Sequence, residues 1–313
     1  MPHLTRRGFS LVELLIAMVL LAIVVTGLYR ALMTNQRVYQ QQTQVIGLQQ
    51  NMRAAAAILP QELRELDATE GDITAMTATS LSVRAHRWTG VMCVPPVTGL
   101  GAGLGLTLVT NVPMTIRTQP FFGRGVNTAV DSIFVRYEGD DGTRKDDSWV
   151  IGRVTGAVTG AAACPPLGLT PQSGQVLTVS LNFAANGLVN FPTSIVNGDP
   201  VLGFEPVTYS LYQPTASNCP SCTAGDWYVG LTNSSSGGGP QPLIGPVLAN
   251  GLSFAYYDST GVVTANPARV ARVDITLRAQ TAQQIRARSG SNSLVRMADS
   301  VLTSVSLRNN RRF

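Results

Sequence analysis

The residues able to do chemistry are few. The chain holds two histidines, His3 and His86, and four cysteines, Cys93, Cys164, Cys219 and Cys222. Nucleophilic or metal-assisted catalysis usually announces itself by a motif such as G-x-S-x-G or H-E-x-x-H, and neither these nor a phosphate loop is present. His86 lies in Ser82-Val83-Arg84-Ala85-His86-Arg87-Trp88, on the polar face of an expected strand, and reads as a surface histidine. The acidic run Glu138-Gly139-Asp140-Asp141-Gly142, followed by Asp146-Asp147, offers oxygens to a hard cation. Its spacing departs from the calcium loop of helix–loop–helix proteins, and Arg144 and Lys145 interrupt it, so a solvated turn is the better reading. These features point away from an enzyme, and no cofactor or metal is expected. The one position that no bland reading absorbs is Glu13, the sole charge between Arg7 and Arg30. It sits at the head of an apolar run from Leu14 to Val25, where an acid at mid-bilayer costs about 2.5–3.5 kcal/mol.

The element that carries Glu13 is a helix long enough to cross a membrane. Residues 9–28 make about 30 Å of helix, the thickness of a bilayer core. Arg6 and Arg7 precede the span and should stay cytoplasmic, which sends everything after Leu28 outward. A secretory signal would be followed by a small-residue cleavage site. None follows Val25; the sequence continues as Tyr29-Arg30-Ala31-Leu32-Met33, all compatible with helix. A plain anchor fits the length and leaves Glu13 unexplained.

The run Gly8-Phe9-Ser10-Leu11-Val12-Glu13 resembles the processing site of type IV prepilins and the related pseudopilins of type II secretion. The resemblance implies that a prepilin peptidase cuts between Gly8 and Phe9, that the new Phe9 amine is methylated, and that the apolar run stays as the anchor. It also implies that Glu13 pairs with such an amine during assembly, in keeping with the rule that charges in lipid are tolerated when they meet a partner. The implied partners are the peptidase, the inner membrane, and other minor and major pilins. The implied location is the bacterial inner membrane, with the leader cytoplasmic and the head outside, and then the pilus at the cell surface.

Past the membrane, Val38, Val45, Met52, Leu59 and Leu66 recur every seven residues, with Leu48, Ala55 and Leu63 beside them. This is one apolar stripe on a continuing helix, and it suits packing on a sheet better than a coiled coil. Pro60 is expected to kink the helix or end its regular part. From Gly71 the pattern turns to short β-like runs between Gly, Pro, Asn and Ser. The runs are 81–88, 104–109, 130–137, 149–154, 176–183, 207–212, 227–231, 252–257, 270–277 and 301–307. The expected architecture is therefore α+β. Residues 1–8 are a leader, 9–30 the membrane half of the helix, 31–66 its amphipathic half, and 67–313 a β-rich extracytoplasmic head.

Outside the cytoplasm, disulfides are the default state of cysteine. Four cysteines allow three pairings. Cys93–Cys164 with Cys219–Cys222 is favoured, because Cys219-Pro220-Ser221-Cys222 can close a tight turn. A zinc site from all four thiolates is the alternative. Residues 261–313 hold nine arginines against Asp274 and Asp299, a balance of +7 that leaves −2 for the rest of a +5 chain. Arg269, Arg272, Arg278, Arg286, Arg288 and Arg296 could form a basic face for DNA or an acidic partner. The bland reading is a solvated arginine face or intersubunit ion pairs, and the scarcity of aromatics there offers no stacking platform for single strands.

The strand order of the last third, with Val305-Ser306-Leu307-Arg308-Asn309 at its end, is similar to PilW-type minor pilins and to J-type minor pseudopilins. Asp131-Ser132-Ile133-Phe134-Val135-Arg136-Tyr137 also resembles a PilW strand. The resemblance implies a structural subunit that initiates or caps a filament. A J-type pseudopilin of type II secretion, and an adhesin or DNA-uptake module at a pilus tip, are the alternatives.

Overall fold

The computed structural model describes residues 10–95, 102–109, 121–137, 148–160, 176–182, 195–233, 239–286 and 293–307. One helix, α1, runs unbroken from Leu11 to Arg64. At 1.5 Å per residue it is about 80 Å long. Pro60 does not end it: the helix continues to Arg64 with Leu59, Pro60 and Leu63 all buried. The hydrogen bond that proline removes is outweighed by the packing on both sides of it. Behind Arg64 the chain reverses in a tight turn. The Asp67 carboxylate accepts from the backbone N–H groups of Thr69 and Glu70, and Asp72 Oδ2 accepts from Asp67 N–H. Gly71 takes a positive φ of 81° there, which an L side chain rarely adopts.

The head is antiparallel sheet. Its strands are β1 (Ile73–Met76), β2 (Ser80–Val94), β3 (Ala102–Val109), β4 (Phe122–Gly123), β5 (Ser132–Tyr137), β6 (Ser148–Gly160) and β7 (Val176–Asn182). They continue as β8 (Pro200–Tyr212), β9 (Trp227–Asn233), β10 (Gln241–Tyr257), β11 (Arg272–Gln280), β12 (Ile285–Arg286), β13 (Leu294–Val295) and β14 (Ala298–Ser306). β2 and β8 form the spine, paired from Ser80↔Ser210 to Val91↔Pro200. On one side the order β1-β2-β8-β9-β10-β11-β14 makes an open sheet. On the other, β2-β3-β7-β6-β5-β8 returns to the spine, so that six described strands close a small barrel.

Each half has its own core. Leu48, Met52, Ala55, Leu59 and Leu63 of α1 pack on the open sheet, against residues that include Val273, Ile275 and Leu277 of β11. Burying each of the larger side chains contributes about 1.5–3 kcal/mol. β11 alternates cleanly, its buried residues set against Arg272, Asp274, Thr276 and Arg278. From Leu48 to Leu63 the amphipathic stripe is thus satisfied within the chain, on a sheet; Val38 stays exposed, Val45 is half-buried, and Leu66 is buried beyond the end of α1. The barrel encloses Trp88, Met92, Ile133, Val135, Val150, Val154 and Val201. No residue of α1 belongs to that second core. Gly203 faces Trp88 across the spine, where an added Cβ would stand 1.9 Å from the indole. A side chain there and the buried tryptophan exclude each other.

Candidate assembly site on the N-terminal helix

Glu13 lies in the first turn of α1, behind an extended Ser10 at the N-cap. From there to Tyr39 every helical residue is exposed, and an 18-residue window of this stretch has a mean hydropathy of 2.8 with none of it buried. Head packing begins around Gln44, whose Oε1 accepts from Gln283 N–H, and Asn51 Nδ2 donates to the Gly245 carbonyl. The protein therefore presents a bare apolar rod carrying one carboxylate. Such a surface is stable in lipid or against other apolar helices and nowhere else. Below it, residues 30–40 make a polar stem of about 15 Å between membrane and head.

The lower end of α1 is tied to the head by charge. Arg87 Nη1 donates to Glu62 Oε1 at 2.9 Å, and Arg87 Nε to Glu205 Oε2 at 3.3 Å. Tyr209 donates its hydroxyl proton to Glu62 Oε2 at 2.6 Å. Burial, and then the Glu62 carboxylate, raise the Tyr209 pKa well beyond the ordinary phenol range. Glu205 also meets Arg124, which forks onto Asp131, and Trp88 Nε1 donates to Asp131 Oδ2 at 3.0 Å. Glu205 and Asp131 are only 3% and 0% exposed, so these arginines neutralise charge that water cannot reach. The seam runs from helix through spine to barrel, and no local sequence pattern marked it.

Residues 4–29 match the family model described as the prokaryotic N-terminal methylation motif. The chain carries a type IV prepilin-like N-terminus. That motif indicates a substrate of prepilin peptidase, held by a single span and built to assemble with other pilins. No curated protein and no solved structure gives a significant match.

The other candidate residues are scattered. Gly8 and Phe9 lie outside the described residues. Cys219 and Cys222 are bonded to each other, so neither is a thiolate available to zinc. Cys93 is buried and disulfide-bonded, while Cys164, its expected partner, lies outside the described residues. Arg272 and Arg278 share the outer face of β11, but Arg272 is paired with Asp274 at 3.2 Å. Arg296 pairs with Asp226 elsewhere, and exposed Arg269 ends a short 3-10 turn. The side chain of Arg286 is not described, and Arg288 and the acidic run 138–147 lie outside the described residues.

His86 is exposed on β2, with Nδ1 3.6 Å from Glu65 Oε2. Burial of part of its ring lowers its pKa, and Glu65 works against that. Close by, burial raises the Asp72 carboxyl to about 6, against the pull of the Asp67 N–H and of Arg84. A carboxyl with a raised native pKa favours the fold below its unfolded value of 3.8, and that contribution is lost as pH climbs to about 6. Asp72→Asn should therefore stabilise the protein above pH 6 by about 2–3 kcal/mol, the worth of a two-unit shift, and little near pH 3.5. Urea midpoints of variant and wild type across this window check it. A difference that does not grow with pH would contradict it.

Proposed function

We propose that the chain is a minor pilin of PilW type, a structural subunit that helps initiate a type IV pilus and sits at or near its tip. The peptidase cuts between Gly8 and Phe9, and Phe9 is then methylated. The observation that carries this reading is Glu13, a carboxylate with no hydrogen bond or ion pair among the described residues, standing at the end of an exposed apolar helix. In lipid the acid is costly. Beside the N-terminal amine of a neighbouring subunit it becomes a register mark that fixes the axial offset between helices. The size of the head supports a minor role. A barrel added to the open sheet, with no helix residue in its core, is bulk that repeated lateral packing along a shaft would have to clear.

Deleting the gene should leave cells with few or no surface filaments, restored by the wild-type copy. Gold-labelled antibody against the head should mark filament ends. Unchanged filaments together with failed export of secreted enzymes would favour the J-type pseudopilin instead, and labelling all along the shaft would contradict the minor role.

A further inference from the structure

β12 and β13 stand apart from the main sheet as a hairpin with two paired positions, Ile285↔Val295 and Arg286↔Leu294. Its base is fixed to the head. Thr281 N–H donates to the Met297 carbonyl at 2.8 Å, and Met297 N–H donates to Thr281 Oγ1 at 3.1 Å. Ile285 is buried, yet Leu294, Val295 and Met297 are 63%, 40% and 42% exposed. Leu294 and Val295 are neighbours on one strand and point to opposite faces, so neither face of β13 is fully covered. A two-stranded hairpin is marginal in water, and aliphatic side chains left in water weaken it further.

The direction of β11 puts this hairpin on the membrane side of the head. Ile275 and Leu277 share a small void with Ala55 and Leu59 of α1, whereas Gln283 N–H donates to Gln44 Oε1. The chain from β11 onward therefore descends along α1, from the level of Leu59 to that of Gln44. The helix from Leu28 to Gln44 is about 24 Å long. From Gln283 to Arg286 the strand covers about 10 Å of that, and the headgroup layer fills about 5–8 Å more. Membrane helices tilt by about 20° on average and up to about 40°, so a lean toward the hairpin brings it down onto the headgroups. The charge is of the matching sign. Between Asp274 and Asp299 the sequence holds Arg278, Arg286, Arg288 and Arg296 and no acid, and of these Arg296 pairs with Asp226. Aliphatic side chains among arginines suit an anionic bilayer surface, where apolar groups reach the acyl boundary and cations meet phosphate. Nucleic acid would answer the arginines and leave the aliphatic side chains in water.

We propose that the β12–β13 hairpin docks the head onto the anionic headgroups of the membrane that holds α1, with Leu294, Val295 and Met297 in the interface. Docking sets the tilt and rotation of α1, which the length of the span alone leaves open. The inference rests on the single span and not on the pilus role.

The test uses the full chain reconstituted at low protein density in vesicles of equal parts phosphatidylcholine and phosphatidylglycerol. Ser293→Cys, at the exposed residue before Leu294, carries an NBD fluorophore, and no free cysteine among the described residues competes for the label. Val262→Cys is the control, because Val262 follows Tyr257, which pairs with Arg272 at the end of β11 far from the hairpin. Quenching by a nitroxide on the lipid headgroup should be several-fold stronger at position 293 than at position 262. Arg286→Gln should lower the ratio of docked to free heads about fivefold, the effect of one arginine at an anionic surface. Leu294→Gln should lower it several-fold, and so should vesicles of phosphatidylcholine alone. Circular dichroism melting checks that each variant is folded. Equal quenching at the two positions would overturn the proposal. So would quenching at position 293 that neither substitution changes, or that arises only at high protein density, where a neighbouring copy covers the hairpin instead. Flotation of the vesicles reads the span separately. A chain that does not float contradicts the span and the docking together, and one that floats without quenching at position 293 contradicts the docking alone.

Discussion

Glu13→Ala should leave the chain inserted and cut, yet lower its recovery in sheared filaments by about tenfold or more, the ratio that corresponds to about 1.4 kcal/mol. The substitution removes a charge that costs about 2.5–3.5 kcal/mol at mid-bilayer, so the anchor itself becomes more favourable in lipid. A loss of assembly therefore cannot come from a weakened anchor. Alanine is also the best helix former, and position 13 is exposed in α1, so the fold is untouched. What remains is the missing partner for a neighbouring amine. Quantitative blotting of membrane and filament fractions reads the split. Normal recovery in filaments would remove the pairing role from Glu13.

The second large effect is expected at Arg87. Arg87→Met should destabilise the head by about 3 kcal/mol, at the low end of the cost of breaking a buried ion pair, because Arg124 still reaches Glu205. The loss has two parts. Glu205, 3% exposed, keeps its charge with one guanidinium fewer, and Glu62 loses its tie from helix to spine. Adding Glu205→Gln should recover about 1–2 kcal/mol, because the uncompensated charge goes with it. Urea unfolding followed by tryptophan fluorescence is suited to this comparison, since Trp88 sits in the barrel core beside the seam. A single-variant loss under about 0.5 kcal/mol, the range of ordinary surface changes, would show that the seam contributes no stability.

Much of the architecture was legible because it rests on period. The stripe of Leu48, Met52, Ala55, Leu59 and Leu63 gave the helix its buried face, and the alternation of Val273, Ile275 and Leu277 gave β11 its own. All ten expected runs overlap strands, and 81–88, 104–109, 149–154, 207–212, 227–231 and 252–257 lie wholly within one. Their lengths were underestimated where glycine and proline read as punctuation. β10 carries Pro242, Gly245, Pro246 and Gly251 yet stays one strand, since register shifts on both of its edges absorb them. β8 runs through Pro206, which lies opposite Arg84. β1, β4, β12 and β13 are two to four residues long, too short for a period to emerge.

Two things could not be read from local pattern. One is the closing of the barrel, which depends on β8 pairing with both β2 and β5 across long stretches of chain. The other is the charged seam. Glu62, Arg87, Arg124, Asp131 and Glu205 come from separate parts of the sequence and share no spacing, so only the fold brings them together. The assembly feature is the opposite case. Glu13 is conspicuous because its neighbours are apolar, and the same contrast that makes it costly makes it visible.

The central claim, that a carboxylate one helical turn from a freshly made N-terminus sets the protein up for assembly, is tested most directly by the intact mass of the protein extracted from membranes. The expected mass is that of residues 9–313 with one added methyl group and oxidised cysteines. A functional protein whose mass still includes Met1 to Gly8 would contradict it.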